Sequence, residues 1–139
     1  MRKIRPILLV EDDNVDAMTI KRAFSDLKIT NEIIHKINGI EALEYLREKE
    51  NKTPCLVLLD LNMPKMNGID FLKEIRADED LRKLAVVVLT TSGNEKDIVE
   101  SFNLNIAGYI IKPVDYKKFV QSISAIYEYW ALSEMPAHD

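Results

Sequence analysis

The sequence predicts an α/β fold, a doubly wound parallel sheet built from five βα units, and three observations carry that reading. Short unbroken apolar runs rich in β-branched residues stand at residues 7–10 (ILLV), 55–59 (CLVLL) and 85–89 (AVVVL). Such runs suit central strands of a parallel sheet covered on both faces. Between them lie segments whose apolar residues recur at helical spacing. The two kinds of segment alternate strictly, as parallel strands joined by crossover helices require.

The first run is followed by Ala17, Ile20, Phe24 and Leu27, which mark one face of a first helix that Asp13 or Asn14 can cap. Residues 32–37 (EIIHKI) form a more mixed strand suited to an edge. Ile40, Leu43 and Leu46 then give the inward stripe of helix two, after Asn38-Gly39. The third strand, 55–59, runs into Asp60, and Ile69, Leu72 and Ile75 repeat the helical spacing after Asn67-Gly68. Strand four, 85–89, is followed by a shorter helix with Ile98, Phe102 and Leu104 on its face. Residues 108–112 (GYIIK) read as a second edge strand, and Phe119, Ile123, Ile126 and Trp130 mark the last and longest helix. No repeat, linker or low-complexity tract interrupts the pattern. Residues 47–52 (REKENK) read as a solvated helix end and loop. One domain over 1–139 is expected, with a core of about 5–133 and a short tail at 134–139.

Composition narrows the function classes. With 139 residues, 47% hydrophobic and 30% charged, the chain has the make-up of a globular protein able to bury a core without staples. A net charge of −4 argues against a surface built to grip nucleic acid or anionic lipid, so neither is an expected partner. The single cysteine, Cys55, cannot form an internal disulfide and reads as a small buried hydrophobe. The apolar run near the N-terminus is too short for a signal-peptide core, and no stretch approaches a membrane span. A cytoplasmic location is expected.

In open α/β sheets the ligand crevice lies beyond the carboxyl ends of the strands. Strand one ends in Glu11-Asp12-Asp13, strand three in Asp60, strand four in Thr90-Thr91-Ser92 and strand five in Lys112-Pro113. Singly, each is an ordinary helix cap or solvent-facing residue; together they are chemically complementary. Two carboxylates about 5 Å apart repel by roughly 3 kcal/mol at an effective dielectric near 20. Glu11, Asp12 and Asp60 would therefore take up protons or recruit a cation, and an oxygen-only set points to Mg²⁺. A carboxylate beside a metal, an ammonium and a hydroxyl is suited to phosphoryl transfer, with Asp60 as the nucleophile. No nucleotide-binding glycine loop is present, and the chain has only four glycines, so the phosphoryl donor is external.

Four strings at the four strand ends resemble the receiver domain of two-component response regulators. They are VEDD after strand one, LLDLNMPKMNG around Asp60, VLTTS at strand four and GYIIKP at strand five. The resemblance implies a flavodoxin-like (βα)5 sandwich with strand order 2-1-3-4-5. It implies Asp60 as phosphoacceptor, Asp12 as direct metal ligand, Glu11 acting on the metal through water, and Asn62 binding it through the main-chain carbonyl. Thr90 corresponds to the switch hydroxyl, Lys112 to the invariant ammonium, and Tyr109 to the aromatic switch that turns inward behind the threonine. It further implies a cis Lys112–Pro113 bond. Thr91 departs from the alanine of many receivers, and with Asn62 it is expected to modulate access of the hydrolytic water.

On this reading the chain is a single-domain response regulator, of the kind paired with phytochrome-type kinases. Its phosphoryl donor would be a sensor histidine kinase or phosphotransfer protein. The segment after Pro113 reads as one helix and a tail, so output through protein contact is expected, with a homodimer through helix 4, strand 5 and helix 5 as one form. Val120, Tyr127, Tyr129, Trp130 and Leu132 either line that interface or fold onto their own domain. Two other classes stay open: a small aspartyl-phosphate hydrolase, whose DxD motif would follow the first strand instead, and a pseudo-receiver that only binds. His35 and His138 lack a supporting base and are not expected to carry phosphate.

Overall fold

The computed structural model describes residues 5–113 and 115–132, with side chains through Trp130. The tail at 134–139, His138 and the side chain of Leu132 lie outside the described residues. Ten elements alternate along the chain: β1 (Ile7–Val10), α1 (Asn14–Asp26), β2 (Ile33–Lys36), α2 (Gly39–Arg47), β3 (Leu56–Leu59), α3 (Gly68–Ala77), β4 (Val86–Thr90), α4 (Glu95–Asn103), β5 (Gly108–Ile111) and α5 (Tyr116–Leu132). The five strands form one parallel sheet in the order β2-β1-β3-β4-β5. This is the flavodoxin-like arrangement expected from the sequence. Among the described residues, no helix is long and apolar enough to cross a membrane.

Alternation along the strands divides the core in two. Leu8, Val10, Val57, Leu59, Val86 and Val88 face Leu43 of α2 and Phe71, Leu72 and Ile75 of α3. Their neighbours Ile7, Leu9, Leu56, Leu58, Val87 and Leu89 face Ile20 and Phe24 of α1 and Phe119, Ile123 and Ile126 of α5. Every residue of β1, β3 and β4 is buried, which is why those runs carry no polar alternation. The edge strands β2 and β5 are only partly covered.

Two inward residues expected from spacing point outward. Ile40 is 44% exposed and Phe102 51% exposed. In α2 the packed stripe is instead Gly39, Ala42, Leu43 and Leu46, because Gly39 lies against Met66. In α4 the buried position is Ser101, which leaves Phe102 on the outer side. The aromatic end of α5 divides: Trp130 packs partly against the core, whereas Tyr129 is 62% exposed.

Helix caps fix where each βα turn ends. Asp13 accepts from the N–H groups of Val15 and Asp16, Asn38 from Glu41, and Asn67 from Asp70. The far end of α4 is tied to α3 by Arg76, whose guanidinium donates to the carbonyls of Leu104 and Asn105 and also to those of Arg82 and Leu84.

Candidate functional site

Parallel register brings the ends of β1 and β3 level, since Val10 pairs with Leu59. Glu11 and Asp60 therefore emerge side by side, and the Asp60 N–H donates to the Val10 carbonyl at 3.0 Å. Both are buried, at 1% and 7% exposure. Oxygen atoms of Glu11, Asp12 and Asp60 all lie within 4.8 Å of one another, with Asp12 the most open to solvent.

Among the described residues, Lys112 is the ammonium that meets this cluster. Lys112 Nζ contacts Glu11 Oε1 at 2.5 Å and stands 3.9 Å from Asp60 Oδ2. Glu11 Oε2 also accepts from the Asp13 N–H at 3.3 Å. Burial nevertheless pushes the Glu11 carboxyl up to about 8, assisted by the negative charge of Asp60 and opposed by Lys112. Burial alone would lower the Lys112 ammonium, but its hydrogen bonds to Glu11 and Asp16 carry it above its ordinary value, so it stays charged. Three carboxyl groups with one shared ammonium leave negative charge in excess. The donors are hard oxygens with an open side at Asp12, and this set fits a hard divalent cation.

The loop after Asp60 is held close. Gly68 N–H donates to the Leu61 carbonyl at 3.0 Å, and a Cβ on Gly68 would lie 2.6 Å from the Asp60 carbonyl oxygen. Only glycine allows α3 to start this near the site. Within the same loop Lys65 and Met66 take positive φ angles of 49° and 66°. Left-handed backbone at two successive residues with side chains stores strain in the loop that follows Asp60. Asn62 N–H reaches Asp60 Oδ1 at 3.4 Å, and the Asn62 side chain is exposed.

On the other flank Thr90 ends β4, fully buried, and its hydroxyl receives the Ser92 N–H at 3.4 Å. Tyr109 sits on β5 opposite Val88, half-buried, with its hydroxyl donating to the Ser92 carbonyl at 2.8 Å. Burial raises the Tyr109 phenol above its ordinary value. Ser92 in turn donates to Asp97 in the first turn of α4 at 2.7 Å. One short loop thus connects Thr90, Tyr109 and α4.

Sequence-predicted site residues converge: Glu11, Asp12, Asp60 and Lys112 meet directly, while Thr90 and Tyr109 meet through Ser92. Thr91 and Pro113 line a cleft beside Lys112. The Lys112–Pro113 bond is trans, not the cis bond that the resemblance implied, for no cis peptide occurs among the described residues. X–Pro isomers differ by only about 0.5–1 kcal/mol, so sequence alone does not fix the choice. Two residues were missed. Asp16 on α1 contacts Lys112 at 2.9 Å; an acid in the first turn of a helix gives no sign of a distant partner. His35, expected on the edge strand, contacts the Glu11 carbonyl through Nε2 at 2.7 Å, where the ring N–H donates. Cys55 is partly buried, and burial raises its thiol, as suits an inert position.

Comparison with known proteins matches residues 7–124 to the family described as "Response regulator receiver domain". A "Probable methanogenesis regulatory protein FilR2" of Methanothrix harundinacea is 42% identical over 127 residues, covering 89% of this chain and 82% of the relative. Among solved structures, the Mn²⁺-bound form of response regulator Rcp1 superimposes with a TM-score of 0.87 at 34% identity, covering 96% of this chain and 99% of that one. The phosphorylated cyanobacterial phytochrome response regulator RcpA gives a TM-score of 0.88 at 37% identity, covering 97% and 100%.

Proposed function

The chain belongs to the response regulator receiver family, and we propose that it is a switch that accepts a phosphoryl group on Asp60 from a phosphohistidine of a sensor histidine kinase or phosphotransfer protein. The observation that carries this is the meeting of Glu11, Asp12 and Asp60 within 4.8 Å beside the Lys112 ammonium.

In the transfer, an Asp60 carboxylate oxygen forms a bond to phosphorus while the donor's phosphorus–nitrogen bond breaks, and the electron pair leaves on the imidazole. Lys112 draws the equatorial oxygens, and the Thr90 hydroxyl donates to one of them. A Mg²⁺ held by Asp12, Asp60, the Asn62 carbonyl and, through water, Glu11 would supply positive charge to the same oxygens. Thr91 and Asn62, both exposed at the rim, govern how water reaches the product.

Output runs through Thr90, Ser92 and Tyr109 to α4. Val99 and Phe102 on α4 and Ile111 on β5 are about half exposed and form an apolar face for a protein partner or a second copy of the chain. Relatives named for methanogenesis and for phytochrome signalling resemble the chain over most of its length.

Beryllium fluoride, which mimics the phosphoryl group, should bind in the presence of Mg²⁺, as measured by calorimetry, and Asp60→Asn should abolish the heat. Binding that persists in Asp60→Asn would refute the reading. Light scattering with and without the mimic distinguishes a homodimer from a heterologous partner.

A further inference from the structure

The Lys112 ammonium has three N–H donors, and two are committed inside the protein. One goes to Glu11 Oε1 at 2.5 Å and one to Asp16 Oδ2 at 2.9 Å, while Asp60 Oδ2 at 3.9 Å is beyond hydrogen-bond reach. A phosphoryl group at Asp60 can draw on only the third donor unless the ammonium gives up part of this hold. Glu11 belongs to the acid cluster and is buried. Asp16 does not: it stands on α1, outside the cluster, with its side chain 41% exposed. Nor does the helix cap need its carboxylate, because Asp13 already receives the Asp16 N–H at 3.1 Å. Asp16 and Lys112 both line a cleft of about 490 Å³ between α1 and the start of α5, bounded also by Thr19, Pro113 and Tyr116, so the pair borders open space rather than packed core.

We propose that Asp16 is a positioning residue that holds the Lys112 ammonium away from Asp60 in the unphosphorylated protein and so sets a threshold for phosphorylation. The proposal rests on the phosphoacceptor reading of Asp60. Electrostatics gives it a two-signed signature. A carboxylate beside Lys112 competes with an incoming anion for the same ammonium and repels that anion, yet attracts a divalent cation. Removing its charge therefore favours the phosphoryl group and disfavours the metal. Loss of a structural contact would weaken both.

The test compares the full chain with Asp16→Asn, Asp16→Ser and Asp16→Glu. Beryllium fluoride affinity at saturating Mg²⁺ should rise about fivefold in the first two, equivalent to about 1 kcal/mol, the upper end for a half-exposed ion pair. Labelling of Asp60 by acetyl phosphate should quicken by a similar factor, and affinity for Mg²⁺ alone should fall. Asp16→Glu should stay near wild type. A metal-free crystal structure of Asp16→Asn should place Lys112 Nζ within hydrogen-bond distance of Asp60. Unchanged or weaker beryllium fluoride binding in both neutral variants, beside normal wild-type binding, overturns the role of Asp16 alone. Wild-type protein that binds no beryllium fluoride overturns the phosphoacceptor reading and this proposal with it.

Discussion

The carboxyl ends of the central strands and the edge strand β5 serve the site in different ways. Glu11, Asp60 and Thr90 come from strands buried along their whole length, and each is itself buried. Lys112 and Tyr109 come from a strand that is only half covered and ends with Ile111 exposed. Packing on both faces holds the acids close against their repulsion. Lys112 and Tyr109 instead sit where fewer neighbours must rearrange. The site is fixed on the acid side and adjustable on the basic side, and each part of that contrast can be broken separately.

The largest effect is expected on the basic side. Lys112→Gln removes the ammonium 3.9 Å from Asp60 and should slow Asp60 labelling by acetyl phosphate about a hundredfold, followed by mass spectrometry. On the fixed side, Gly68→Ala forces a Cβ to within 2.6 Å of the Asp60 carbonyl oxygen and 2.7 Å of Leu61 Cα. Backbone must shift, and urea denaturation should show a loss of about 2 kcal/mol.

A second effect on the fixed side depends on pH. With the Glu11 carboxyl raised from 4.5 to about 8, the folded metal-free protein keeps a proton that the unfolded chain has released. This group therefore makes stability fall as pH rises from 4.5 to about 8, and the effect levels off above. Divalent-metal affinity runs the opposite way, because binding needs the carboxylate. It should rise by up to about tenfold per pH unit on approaching that value, and Glu11→Gln should flatten the slope. Smallest is Tyr109→Phe, which loses the bond to the Ser92 carbonyl and should cost about 1 kcal/mol in thermal denaturation. Labelling at Asp60 should stay close to wild type while partner binding changes. Equal damage to both would contradict the separation between the acid cluster and β5.

Much of this arrangement was legible in the sequence, for identifiable reasons. Solid apolar runs announced strands covered on both faces, and the acids ending them fell into one crevice once the topology was known. Asp13 was legible as a cap because its side chain acts within three residues of itself. Asp16 was not, since its partner lies 96 residues away. Ile40 and Phe102 were misplaced because periodicity finds a stripe without deciding which of two neighbouring stripes faces the sheet. There small residues, Gly39 and Ser101, took the inner positions. The left-handed Lys65 and Met66 were hidden because neither is a residue that prefers that conformation. Their geometry is imposed by the tight return from Asp60 to Gly68.

Asp60, set among Glu11, Asp12 and Lys112, is the group proposed to become phosphorylated. Mass spectrometry of the intact chain after exposure to acetyl phosphate and Mg²⁺ tests it most directly. The chain should gain one phosphoryl group, mapped to Asp60, absent without the metal and absent in Asp60→Asn. A wild-type chain that gains nothing, or an Asp60→Asn chain that gains as much, would contradict it.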